Sequence, residues 1–114
     1  MKPDRQRSKQ RINHILKAIQ DIQLFTSGMT YGDFKKDPKT YYACLYQFAV
    51  IGEAVAHMDS NLLERFEIPW YKVRSFRNFI MHEYHAIDEK VVWDTIEKEL
   101  PEFRKLMEHV LEVG

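Results

Sequence analysis

The amino-acid sequence predicts an all-α fold, an antiparallel bundle of four to five helices in a single domain spanning residues 1–114. Three observations lead there. Apolar residues recur at helical spacing along almost the whole chain, and no stretch shows the period of two that a half-buried strand needs. Helix-stop and helix-start residues then divide the chain into segments joined by short links, the pattern of neighbouring antiparallel helices. A chain of 114 residues can bury one core but not two, and no repeat, low-complexity stretch or linker interrupts it.

The first helix is expected from about Asp4 to Phe25, with Ile12, Ile15, Leu16, Ile19 and Ile22 on one stripe and Ser27-Gly28 as its stop. Thr30 with Asp33 resembles a capping box and predicts a short helical turn. Asp37 is the N-cap and Pro38 the first position of a second main helix reaching about Met58. Its apolar positions, from Tyr41, Tyr42, Leu45 and Tyr46 to Val55 and Ala56, cover more than one stripe, so one face can build the core while another meets a partner. Within it, Gly52 permits close helix packing and Glu53 is a candidate partner for a basic residue. Asn61 to Phe66 reads as a short helical connector, and Pro69 as the first position of a third main helix. Asp88 caps a fourth, whose stripe of Val92, Ile96, Leu100, Phe103, Met107 and Val110 continues past Pro101. A proline there removes a backbone donor and is expected to kink or split the helix near Glu99.

Lysine plus arginine and aspartate plus glutamate balance at 17 each, so no whole-protein field draws in nucleic acid and any affinity for anions must be local. Cys44 is alone, which excludes an intramolecular disulfide and suits a reducing cytoplasm; an isolated helical cysteine reads first as a small buried hydrophobe. The charged N-terminus has no apolar segment after it, and no later apolar run approaches the ~20 residues of a membrane span, so a soluble, cytoplasmic protein is expected.

The chemistry-bearing stretch lies in the third main helix, where Arg77, His82 and Tyr84 stand at R-x-x-x-x-H-x-Y spacing. Arginine offers a permanent planar cation for a phosphate, histidine moves protons near neutral pH, and tyrosine adds a hydroxyl that can accept a group. From Trp70 to His82 there is no acid, while Lys72, Arg74 and Arg77 alternate with Trp70, Tyr71, Phe76 and Phe79, a mixture suited to RNA or nucleotides; Lys72 and Arg74 are the RNA-contact candidates. At about 100° per residue Asn78 and His82 share a stripe, whereas Arg77 stands about 140° from His82. The two converge if Arg77 reaches round with its long stem, if the helix end is irregular, or if two copies of the helix face each other across a two-fold axis. Such a site fits RNA cleavage without a metal, with His82 as general base or acid, Arg77 stabilising charge on phosphorus, and Asn78 orienting phosphate or imidazole. The chain shows no grouped carboxylates of the two-metal nuclease kind, so neither metal nor cofactor is expected.

Plainer readings compete. An arginine on a helix flank is commonly a surface residue, a lone histidine is more often structural than catalytic, and a tyrosine at a helix end often snorkels. His82 and His85 form H-x-x-H, but no third metal ligand is evident, and His14, His57 and His109 read as surface or satisfied residues. The cations Arg5, Arg7, Lys9 and Arg11 read as a solvated face that also offers contact to RNA.

Taken together, the chain from about Ile12 to Val110 resembles the HEPN superfamily and, within it, the HepT-like (DUF86) group. The resemblance rests on Phe25-Thr26-Ser27-Gly28-Met29-Thr30, Ile51-Gly52-Glu53-Ala54, Ile68-Pro69-Trp70, and Arg77-Asn78 through His82-x-Tyr84 followed by Val91-Val92-Trp93, in that order. It departs in carrying His85 and Ala86 where relatives often have phenylalanine and glycine. The resemblance implies a HEPN-like helical homodimer whose two R-x4-H motifs line one cleft, and the toxin half of a type VII-like toxin–antitoxin pair with metal-independent endoribonuclease activity on mRNA or tRNA. By position, Arg77 and His82 would be catalytic and Tyr84 the residue that a cognate minimal nucleotidyltransferase antitoxin modifies with AMP. The excess apolar surface places the expected dimer contact on the second and third main helices. The alternative is a non-catalytic subunit that binds nucleotide or substrate for a nucleotidyltransferase.

Overall fold

The computed structural model describes residues 2–66, Val73, Asn78, His82 and residues 86–113; the side chains of residues 2–6, Ser60 and Leu63 are outside that description. Among the described residues there are helices and no strand. They are α1 (Lys2–Phe25), α2 (Tyr31–Lys35), α3 (Pro38–Ala56), α4 (Ser60–Arg65), α5 (Glu89–Asp94), a π-helical turn (Thr95–Glu99) and α6 (Leu100–Val113).

Most boundaries follow local chemistry. Thr26 closes α1 by donating its hydroxyl to the Ile22 carbonyl at 2.9 Å, and Gly28 then turns the chain at φ +77°, a left-handed conformation that costs a Cβ-bearing residue about 1–2 kcal/mol. The Thr30–Asp33 capping box is complete: the Thr30 oxygen accepts from the Asp33 N–H, and the Asp33 carboxylate accepts from the Thr30 N–H at 3.0 Å. Asp37 caps α3 by accepting from both the Thr40 N–H and its hydroxyl, with Pro38 behind it. Asp59 and Asp88 cap α4 and α5 in the same way, each accepting a backbone N–H two residues on. These helices begin and end within a few residues of the expected positions.

The core is one cluster. Ile12, Ile15, Ile19 and Ile22 of α1 are fully buried, and α1 packs against both α3 and α6. Each such side chain contributes about 1.5–3 kcal/mol by leaving water. From α3 come Cys44, Leu45, Phe48, Ile51 and Val55; from the C-terminal helices, Val92, Trp93, Ile96, Leu100, Met107 and Val110. Phe34, the one buried side chain of α2, sits between the Tyr41 and Trp93 rings, with centroids 5.7 and 5.1 Å away, and so ties α2 to α3 and α5. Trp93 was absent from the predicted stripe, and the structure adds it to the core.

Pro101 neither ends nor splits the last helix. The strain expected near Glu99 is taken up by the π-helical turn, in which the Leu100 N–H bonds back to the Thr95 carbonyl and the backbone at both ends keeps right-handed helical angles. Widening the helix just before the proline makes room for a ring that would otherwise press on the preceding turn. None of the described helices is long and apolar enough to cross a membrane.

Candidate functional site

The chain reaches the R-x4-H segment after α4 and leaves it at Ala86, whose backbone is 3-10 helical, before Asp88 caps α5. Within the segment Val73, Asn78 and His82 are helical. Val73 packs against the main core, whereas Asn78 and His82 are exposed. A single helix turning about 100° per residue gives that arrangement, since Asn78 and His82 would lie about 140° and 180° round from Val73. Val73 thus packs on the core, while the Asn78 amide and the His82 imidazole face solvent.

Asn78 and His82 are four residues apart, a spacing that in a continuous helix corresponds to about one turn and a rise of about 6 Å. An exposed imidazole can exchange protons with a bound ligand, and an exposed amide can orient one. Arg77, Tyr84, Lys72 and Arg74 lie outside the described residues, as do the aromatic residues Trp70, Tyr71, Phe76 and Phe79, the Pro69 start of this helix, and His85.

The other candidates behave as ordinary surface or core groups. His57 is held by Glu53, Nε2 to Oε2 at 2.6 Å across one turn of α3, so Glu53 has a basic partner on its own helix. His109 meets the Phe66 ring edge-on at 6.0 Å, and His14 is exposed on α1. Cys44 is fully buried, and burial pushes its thiol up to about 12, which leaves almost no thiolate at neutral pH and fits a packing role. Among the described residues no three of His, Cys, Asp and Glu gather as a metal-binding group.

Sequence patterning expected spare apolar surface on α3, and the structure shows which residues form it. Tyr42 and Tyr46, one turn apart, are 55% and 67% exposed, while Tyr41 beside them is 7% exposed. The signal was available in the tyrosine spacing, because three tyrosines at positions 41, 42 and 46 cannot all share one face of a helix.

Residues 15–110 match the sequence profile of the HepT-like family, described as Ribonuclease HepT-like. Similar proteins include "Putative RNase TTE0752" of Caldanaerobacter subterraneus subsp. tengcongensis, 30% identical over 102 residues that cover 89% of this chain and 91% of that protein. "Putative RNase MJ0127" of Methanocaldococcus jannaschii is 32% identical over 98 residues, covering 85% of this chain and 81% of that protein. "Probable ribonuclease HepT" of Thermococcus cleftensis is 30% identical over 97 residues, covering 84% and 88%. No solved structure matches the chain. With a profile match over residues 15–110 and relatives at 30% identity or more over most of both chains, the chain belongs to the HepT-like ribonuclease family.

Proposed function

We propose that this chain is a metal-independent endoribonuclease that acts as the toxin of a toxin–antitoxin pair, cleaving mRNA or tRNA at a composite site made by two copies of the R-x4-H helix. The observation that carries the reading is His82, helical and exposed, four residues from the likewise exposed Asn78, within a HepT-like match covering residues 15–110.

In the proposed reaction, neutral His82 of one copy takes the proton of a ribose 2′-hydroxyl as the 2′ oxygen bonds to the adjacent phosphorus. The bond from phosphorus to the 5′ oxygen breaks, and a protonated His82 of the second copy returns a proton to that leaving oxygen. A cyclic phosphate and a free 5′-hydroxyl result. Arg77 neutralises the charge that grows on the non-bridging oxygens, Asn78 orients the phosphate, and Lys72 and Arg74 hold the flanking backbone. Two copies suit this chemistry because one straight helix separates Arg77 from His82 by about 140°, and a two-fold axis supplies a second set of both, including the second histidine that the reaction uses. The exposed tyrosine face of α3 supports that assembly. Control would fall to Tyr84, two residues beyond His82, where a cognate nucleotidyltransferase transfers AMP from ATP to the phenol and releases pyrophosphate. The added anion would occupy the phosphate site and repel RNA.

The test is purified protein with labelled RNA. His82→Ala and Arg77→Ala are each expected to abolish cleavage without changing helical content, and EDTA is expected to leave cleavage intact. Undiminished cleavage in either variant, or loss on chelation, overturns the mechanism. For the control step, mass spectrometry after co-expression with the nucleotidyltransferase should find one AMP on Tyr84 and none in Tyr84→Phe.

A further inference from the structure

From Arg5 to Gln20 the chain contains no acid, and five of its 17 lysine and arginine residues, Arg5, Arg7, Lys9, Arg11 and Lys17, fall there. In a chain with no net charge this is a local concentration of positive charge outside the R-x4-H segment. The whole stretch lies in α1, and the fold decides how its described side chains are displayed. Ser8, Ile12, Ile15, Ala18 and Ile19 take the buried side, while Arg7, Lys9, Gln10, Asn13, His14, Lys17 and Gln20 are exposed and Arg11 is half-buried. At about 100° per residue Arg7, Arg11 and His14 fall on one side of the helix, and Gln10 and Lys17 adjoin them. Lys9 points to the other flank, about 160° from Arg7.

Two further observations define the ligand. Lys17 is already held by Asp21 at 2.8 Å, but among the described residues no carboxylate pairs with Arg7, Lys9 or Arg11. Among the described residues, nothing of opposite charge is set against them. The exposed face from Arg7 to Gln20 also carries no apolar side chain, in contrast to α3 with Tyr42 and Tyr46. A protein interface wants an apolar centre with aromatic anchors. A polyanion wants spaced guanidinium and amide donors with nothing to desolvate between them.

We infer that the Arg7–Lys17 side of α1 is a second contact for the RNA backbone, distinct from the R-x4-H segment, which grips phosphates of the substrate away from the scissile one. The inference rests on the ribonuclease reading above. Arg7 and Arg11 carry the charge, Gln10 and His14 add hydrogen-bond donors, and from Arg7 to Lys17 the track is about 15 Å long, enough to meet more than one phosphate. Contacts of this kind carry no sequence information. They would raise affinity for long RNA over short fragments, and salt would weaken that advantage.

The experiment measures binding of a fluorescent oligouridylate by the full chain carrying His82→Ala, across a series of salt concentrations. Each phosphate contact on a single strand contributes about 0.7 to the slope of log affinity against log salt, so Arg7→Gln with Arg11→Gln is expected to lower that slope by about 1.4. Because Arg11 is half-buried, Arg7→Gln alone serves as the variant that spares packing, with an expected loss of about 0.7. Lys9→Gln, the same change of charge on the other flank, is expected to change the slope less than Arg7→Gln. A slope equal to that of the parent protein in both arginine variants, with circular dichroism unchanged, overturns the inference, as does an equal effect of Lys9→Gln. If the arginine variants keep the slope and instead lose the partner nucleotidyltransferase in a pull-down, the strip is a protein contact and the inference is likewise overturned. Failure of the ribonuclease reading is separate, since it would appear as RNA left intact by the chain with His82 present.

Discussion

Tyr41 and Tyr42 are neighbours in sequence and opposites in fate. Tyr41 joins Phe34 and Trp93 in a closed aromatic cluster where α2, α3 and α5 meet, while Tyr42 and, one turn on, Tyr46 present their rings to solvent. The first cluster is complete within one chain. Buried rings at centroid distances of 5.1–5.7 Å gain both from leaving water and from ring geometry. The second region is apolar surface without such closure, next in the fold to polar faces that need no cover. The contrast shows that aromatic content alone does not identify a core. What distinguishes the two regions is whether this chain supplies the second surface, and the exposed pair is where a second copy would have to supply it.

The sharpest way to break the comparison is at the closed cluster. Phe34→Ala removes the ring that links three helices and is expected to cost about 3–5 kcal/mol, read by urea denaturation. A cost near that of an ordinary surface change would mean that α2 is not part of the cooperative core. On the open face, Tyr46→Arg should leave the monomer fold within about 0.5 kcal/mol of the parent, because it removes little buried contact. It should still convert the proposed dimer to monomers in sedimentation and abolish RNA cleavage with them. A variant that stays dimeric and active would move the interface off α3.

Smaller effects probe the turns that lead into the aromatic cluster. Gly28→Ala meets open space at its Cβ but must hold a left-handed backbone, so the expected loss is about 1–2 kcal/mol with no change in packing. A neutral result would show that the α1–α2 turn relaxes. Acid should act more gently. The backbone hydrogen bond from Thr30 holds the Asp33 carboxyl below the usual range; the Thr40 side chain does so for Asp37, and Lys90 for Asp94. A carboxyl lowered in the folded state contributes stability that is fully present above the unfolded value of about 3.9 and lost as pH falls through the folded one. A denaturation series should therefore be flat toward neutral pH and decline below about pH 4. Asp37→Asn, which retains a capping oxygen but cannot titrate, should flatten part of that decline.

How much of this could be read in advance depended on how local each signal was. Thr30 with Asp33, Asp37 with Pro38, and Asp88 are contained within single helical turns, so their caps were legible from residue type and order alone. The stripe expected to hold Asn78 and His82 rests on the same kind of local rule, a spacing of four. Trp93 was missed because its burial depends on Phe34, almost 60 residues away in the chain, instead of on the stripe around it. Pro101 announced a disturbance but not its form, since a missing donor is compatible with a kink, a break or a widened turn, and packing against the core selects among them. A pairing of Arg77 with His82 would be the least legible of all, because the period of one helix holds them apart and it would take the long Arg77 stem, an irregular helix end or a second copy to bring them together.

The widened turn at Thr95–Glu99 also works as a phase corrector. In an unbroken α-helix each step of four residues overshoots a full circle by about 40°, so Leu100 would drift about 80° round from Val92. A turn closed by bonds to the fifth residue holds about one residue more per revolution, which cancels that drift. Val92, Ile96 and Leu100 accordingly all remain buried, and α6 starts with its clock reset for Met107 and Val110. One rod can thus serve two neighbours, with α5 facing α2 and α6 facing α1, without the chain having to stop and turn between them.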